Sequence, residues 1–185
     1  MRTETYAKQD WEELEEPGES EAVMGFDAFL KIEGVDGESQ DDKHKNEIEV
    51  LRWSGRVEQQ GSAQTGGGMG SGKSYHHEFK IVKTVDKATP KLFERCCTGE
   101  HFDKAVLVVR KAGGEQREFL KFTLSDVLIS SNRPFHEPDP KSGLPREGVG
   151  LSYGKIEMEY MPQTSKGTLA GTIKAGWNVK ENKLV

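Results

Sequence analysis

At 185 residues, with 34% hydrophobic and 31% charged side chains, the chain has material for one domain with a single core and the composition of an ordinary soluble protein. No apolar run approaches the roughly 18 residues needed to span a membrane, and Met1 to Lys8 lack the apolar centre of a secretory signal, so neither membrane insertion nor signal-directed export is expected. The net charge of −5 is unevenly placed: residues 1–23 carry Arg2 and Lys8 against eight acidic side chains, a balance of −6, which leaves the other 162 residues at about +1. A near-neutral body excludes nucleic acid as a partner, because that binding needs a basic face to replace counterions.

The acidic leader, residues 1–23, is closed by Pro17-Gly18 and reads as a disordered or weakly helical tail. From Met24 the texture changes. Phe26, Ala28, Leu30 and Ile32 alternate with Asp27, Phe29, Lys31 and Glu33, a first strand that stops at Gly34. A polar crossing from Val35 to His44 leads to a second strand through Ile48, Val50 and Leu51 to Trp53.

Next comes Gly66 to Ser74, in which Gly67, Gly72, Lys73 and Ser74 satisfy G-x-x-x-x-G-K-[ST]. In a working phosphate loop a buried strand feeds that pattern and a helix leaves it, so that backbone amides and the helix N-terminus face the phosphates. Here the polar run Gln59 to Thr65 precedes it, and His76 to Val85 comes after it with the period-two pattern of a strand. The setting predicts a long loop between strands, with a P-loop-like nucleotide-binding enzyme as the alternative.

One helix is predicted after that strand, with Thr89 as N-cap, Pro90 at the first helical position and Gly99 as the left-handed stop. Leu92 with Cys96 and Phe93 with Cys97 fall four apart and are expected on one packed face. Ala105 to Arg110 and Glu118 to Leu124 form a hairpin across Lys111 to Glu115, and Val127 to Ser130 continue it. Ser131 to Gly150, with four prolines, reads as a second long loop. Tyr153 to Tyr160 and Thr172 to Val179, around Trp177, complete a final β pair. Many short strands and one helix predict a small β-barrel or sandwich.

The residues that carry chemistry elsewhere find no setting here. His76 and His77 point to opposite faces of a strand with no third ligand nearby, and His44, His101 and His136 lie in polar turns. Ser71, Ser74 and Cys96 lack the sharp turn and base of an activated nucleophile, and Glu157 and Glu159 read as a solvent-facing edge. Cys96 and Cys97 are adjacent and cannot staple distant segments, which fits a reducing compartment. Trp53 and Trp177 are anchors of a core or of an interface. No catalytic residue, metal site or cofactor is expected, and the chain points away from an enzyme towards a surface or an assembly.

Several segments in order then resemble one family: Phe29-Leu30-Lys31-Ile32 with Gly34 to Ser39; Glu47 to Leu51 with Trp53-Ser54; the glycine loop ending Gly72-Lys73; Val85 to Pro90; and Cys97 to His101. Val109 to Gly114, Val127 to Ser131, Tyr160 to Gln163 and Gly176 to Asn178 continue the series. From Met24 to the end the chain resembles the haemolysin-coregulated proteins (Hcp) of the bacterial type VI secretion system. The resemblance implies a mainly β fold, a small barrel of two sheets with one flanking helix and two long loops, over residues 24–185, with residues 1–23 as an extra leader that has no counterpart at the usual family start.

It also implies a homohexameric ring, rings stacked into a tube, partnership with the contractile sheath and spike, small effector cargo in the lumen, and a bacterial cytoplasmic protein secreted without a signal peptide. A phage-type tail tube protein would share the ring architecture. The loop after the second strand is the one that reaches neighbouring subunits or rings, which marks Gly61, Ser62, Gly67, Met69, Gly70 and Lys73 as the candidate contact residues.

Overall fold

The computed structural model describes residues 25–59, 73–113, 116–162 and 171–185. Among these described residues eleven strands and one helix run in chain order: β1 (Phe26–Ile32), β2 (Ile48–Glu49), β3 (Arg52–Ser54), β4 (Val57–Glu58), β5 (Tyr75–His76), β6 (Phe79–Thr84), α1 (Thr89–Thr98), β7 (Phe102–Lys111), β8 (Glu118–Pro138), β9 (Pro145–Tyr160), β10 (Ile173–Asn178) and β11 (Lys183–Leu184). Nine strands form one sheet in the order β11-β10-β9-β8-β7-β1-β2, with β6 on β9 and β3 on β6, while β4 and β5 pair by themselves.

The expected barrel is an open, strongly curled sheet. β2 pairs with β1 and β3 with β6, and only backbone bonds at the residues between them join the two margins, from Val50 N–H to the Ala28 carbonyl (2.9 Å) and from Leu51 N–H to the Val82 carbonyl (2.8 Å). Of the alternating side chains of β1, Ala28, Leu30 and Ile32 enter a core shared with Ile81, Leu107, Leu124 and Leu151, whereas Phe26 is exposed and Phe29, expected on the polar side, is buried beneath Arg110 and His44.

Ser131 to Gly150 is not a loop. Only the turn between Pro138 and Pro145 interrupts two long strands, and Asp139 closes that turn by accepting from the Ser142 N–H and hydroxyl, both at 2.8 Å. The prolines misled because, among the described residues, β8 beyond Val127 pairs with no strand on its β7 side, and a missing N–H on such an edge costs no ladder bond. In α1, Thr89 is already helical and the cap position falls on Ala88, whose side chain offers no bond. Gly99 stops the helix as predicted, at φ +68 with its N–H on the Arg95 carbonyl. Leu92 is buried and Cys96 half-buried, whereas Phe93 and Cys97 face outward, so the two pairs do not share a packed face.

Two charged clusters hold the layers. Lys83 and Glu147 are register partners across β6 and β9, both 0% exposed, and bond at 2.7 Å. Lys83 Nζ also donates to Asp86 Oδ1 (2.8 Å) and the Thr84 carbonyl (2.7 Å), the Thr89 hydroxyl donates to Glu147 Oε1 (2.7 Å), and Asn132 donates to Glu147 Oε2 (3.3 Å). Arg110, 3% exposed, lies 4.8 Å over the Phe29 ring and donates to Asp41 and Asp27. Burial works against its charge, and the two carboxylates outweigh it and hold the guanidinium above its ordinary pKa.

His44, in the polar crossing as expected, is buried there and stacks on Phe29 at 4.4 Å with Nδ1 2.9 Å from Glu47. Its role is packing of the crossing.

Removing one member of a buried pair leaves the other charge unsolvated, so Lys83→Met is expected to cost about 3–5 kcal/mol by chemical denaturation, and adding Glu147→Gln to recover part of it. Asp41 is held below the ordinary carboxylate range chiefly by its bond from Arg110. A depressed folded-state pKa gives stability that is present above the unfolded value, about 4, and is lost as pH falls through the folded one. Melting curves from pH 7 down should therefore show Asp41→Asn less stable at neutral pH and with a shallower acid limb than the parent chain.

Candidate functional site

The glycine loop springs from a ladder that the local sequence builds. Val57 and Glu58 pair with His76 and Tyr75, and His77 N–H bonds the Arg56 carbonyl at 3.0 Å. Glu58 binds Arg56 and lies 3.2 Å from His77 Nε2, and those two partners, His77 first, hold its carboxyl below the ordinary range. Gly61, Ser62, Gly67, Met69 and Gly70 lie outside the described residues. Lys73, exposed, is the one predicted contact residue that the structure places, at the foot of β5. Ser74 leads directly into strand β5, so the helix N-terminus that a phosphate loop requires is not there.

Beneath this ladder lies a cavity of about 880 Å³. Its floor is aromatic: Trp53 stacks on Phe79 at 6.1 Å and lies 5.1 Å from Phe122 at a tilt, and Phe79 and Phe122 are 5.3 Å apart. Ile156, Met158 and Trp177 form its wall and Lys73, Ser74, His76 and Tyr153 stand among its polar lining. His76 Nε2 is 3.1 Å from Ser74 Oγ and its Nδ1 is 3.5 Å from the Tyr153 hydroxyl.

Burial, then the charge of Lys73, pushes the His76 pKa down, and burial pushes Tyr153 up to about 12, so at neutral pH both are uncharged. A phenol stands where an activated Ser–His pair has its carboxylate, and that geometry gives the imidazole no anionic orienter. Among the described residues no group of three His, Cys, Asp or Glu side chains could hold a metal ion.

The wall continues beyond the cavity because β9 has two neighbours on one edge. Its first half pairs with β6 and its second half with β10, so β8, β9 and β10 run on past the curled core. Asp126, at φ +54, shifts the inward alternation by one residue, from Leu120, Phe122 and Leu124 to Val127 and Ile129, and β9 shifts opposite it. Gly154 makes room: a Cβ there would meet Asp126 Oδ2 at 2.9 Å and Lys180 Cε at 3.0 Å. His101 Nδ1, 2.9 Å from Asp126, belongs to the same junction.

The extension is two-faced. On one side Glu159 bonds Lys121 (2.9 Å) and Lys174 (3.0 Å), which hold its carboxyl low, and Glu157 bonds Lys155 (2.7 Å), so neither acid is an unpaired acid/base candidate. On the other, Met158, Tyr160 and Ile173 are 42%, 44% and 62% exposed, register neighbours on the face that continues the cavity wall. Trp53 and Trp177 were legible as anchors. This exposed face was not, because an alternating strand pattern looks the same whether its apolar side is covered by the chain or left open.

A family model described as "Type VI secretion system effector, Hcp" matches residues 29–160. The chain belongs to the Hcp family. It is 41% identical over 163 residues to protein hcp1 of Pseudomonas aeruginosa, covering 86% of this chain and 98% of that one. The crystal structure of Hcp1 from Salmonella typhimurium superposes with a TM-score of 0.72 at 40% identity, over 88% of this chain and all of that one. A solved type six secretion system protein reaches a TM-score of 0.81 at 30% identity, over 86% of this chain and 99% of that one. This Hcp protein is thereby a type VI secretion component of mainly β fold, and membership in that family implies secretion. No described helix is long and apolar enough to cross a membrane.

With a strand after Ser74, millimolar MgATP should leave the melting temperature of the chain unchanged, and Lys73→Ala should not alter that result in differential scanning fluorimetry. A nucleotide-dependent rise that disappears in the variant would contradict the geometry.

Proposed function

We propose that this Hcp protein is the structural subunit of a type VI secretion tube: six copies close into a ring, rings stack, and the lumen carries small effectors on the way out of the cell. The observation that carries the reading is the open apolar face at Met158, Tyr160 and Ile173, on a chain whose relatives belong to that secretion system. A folded subunit with such a face and with free strand edges favours association, because both are stabilised only when something covers them. Head-to-tail contacts between identical chains close into a ring when the rotation between neighbours fits, and otherwise run on as a filament.

In this reading the loop carrying Gly61, Ser62, Gly67, Met69, Gly70 and Lys73 is the arm that reaches a neighbouring subunit or ring, held out by the β4–β5 ladder. The contractile sheath and the spike are the further partners, export needs no signal peptide, and residues 1–23 are a leader appended to a body at 24–185. The protein acts by shape and contact, with no reaction of its own.

Size exclusion coupled to light scattering should give the mass of six chains, with six-fold rings in negative-stain images of the same peak. A chain that stays monomeric at high concentration would overturn the reading.

A further inference from the structure

The cavity beneath the β4–β5 ladder has the size and the lining of a small-molecule site. Its volume of about 880 Å³ lies in the range of roughly 300–1,000 Å³ in which drug-sized ligands are held, and such sites join apolar walls to a few convergent polar groups. The floor is flat and fixed from below. The Trp53 and Phe79 rings are 4° from parallel, Phe79 is 1% exposed, and Gly55 lies so close that a Cβ there would meet the Phe79 ring at 3.0 Å. Phe122, tilted by 57° to Trp53 and 55° to Phe79, closes one side, and Met158 and Trp177 stand in the wall. A planar ring system gains apolar burial together with offset or edge contacts on such a surface, and a floor set beforehand loses little freedom on binding.

The polar groups select the other end of the ligand. The Tyr153 hydroxyl lies 3.5 Å from His76 Nδ1, a long contact that leaves its O–H weakly engaged, while Ser74 Oγ stands 3.1 Å from the other ring nitrogen. Lys73 lines the same space, and its charge acts on the His76 ring. Glu58 is the one carboxylate among the described lining residues, and Arg56 and His77 engage it. A phenol O–H and an ammonium are donors, so the group they take is an acceptor, and Arg56 and Lys73 against Glu58 leave a positive balance that favours an anion.

We propose that the cavity binds a flat aromatic acid, with its fused rings on Trp53 and Phe122 and its carboxylate toward Tyr153 and Lys73. The open face at Met158, Tyr160 and Ile173 carries the tube reading; the floor and the donors carry this one, which does not rest on it.

Naphthoate is the probe and naphthamide its neutral counterpart, each titrated calorimetrically into the full chain, with the mass of the species read by light scattering on the same sample. The expected result is saturable binding of naphthoate, one molecule per chain, with the amide about tenfold weaker. Lys73→Met should bring the acid down to the affinity of the amide and leave the amide unchanged. Ala175→Trp, which places an indole in the space that Ala175 lines, should abolish binding of both.

No saturable binding, equal affinity of acid and amide in the parent chain, or binding that survives in a folded Ala175→Trp chain would each overturn the site. Binding that appears only once dilution has separated the copies would give the cavity to a neighbouring copy and overturn it as well. The comparison of acid with amide uses the parent chain alone, so it stands whether or not the tryptophan variant folds. The mass by itself decides ring formation, so a failure of the tube reading and a failure of the ligand site are told apart.

Discussion

A lysine and a glutamate, both sealed from water, face each other across β6 and β9, and the arrangement of the molecule depends on their meeting. Each ion alone would cost several kcal/mol to bury. Together they require partners for the remaining donors and acceptors, and those partners are four residues: Asp86 and Thr84 beside Lys83, Thr89 at the start of α1, and Asn132 on β8. The helix start is therefore positioned by the sheet, through the hydroxyl of Thr89, rather than by a cap of its own. The same bond seats the first half of β9 against β6, and the strand is left with a second half that β6 does not reach.

That division of β9 generates the surface. A strand shared between two edge partners projects beyond the curled core, and among the described residues β10 and β11 extend the sheet there. Asp126 and Gly154 sit at the changeover and shift both strands by one residue, which keeps the apolar side continuous from the aromatic floor to the rim. Without the shift, the residues beyond it would turn lysines and glutamates toward the cavity. The charged side of the extension closes on itself through Glu159, and among the described residues Met158, Tyr160 and Ile173 on the apolar side stay exposed.

Local pattern reported most elements because β1, β7 and the hairpin to β8 are stabilised by contacts whose period is written in consecutive residues. It failed where stability comes from elsewhere. Ser131 to Gly150 is strand because Glu147 and Arg146 pair with Lys83 and Thr84 more than sixty residues away, and no window of sequence contains that pairing. Lys83 falls at the spacing of Phe79 and Ile81 in the alternation, and only the fold shows a glutamate waiting opposite it. For the site, the motif order identified the family, the aromatic anchors were visible, and the open face was not, since exposure is a property of what the fold leaves uncovered. Lys73 alone among the predicted contact residues can be placed.

The phosphate-loop pattern and the tube reading use the same glycines for opposite physical reasons. In a nucleotide site glycines let backbone amides close around phosphates, and the helix beyond them supplies the field that makes the cradle selective for anions. Here the pattern ends in β5, whose strand dipoles alternate and supply no such field. What remains of glycine's contribution is reach without bulk, in a segment rooted on the β4–β5 ladder beside an aromatic cavity. In the proposed tube, the thioether at the rim of a rigid aromatic floor would be part of a contact that must fit a copy of itself. Shape and apolar area can do that work, with Ser74, His76 and Tyr153 uncharged among the lining and the charges of Lys73, Arg56 and Glu58 gathered on the ladder side.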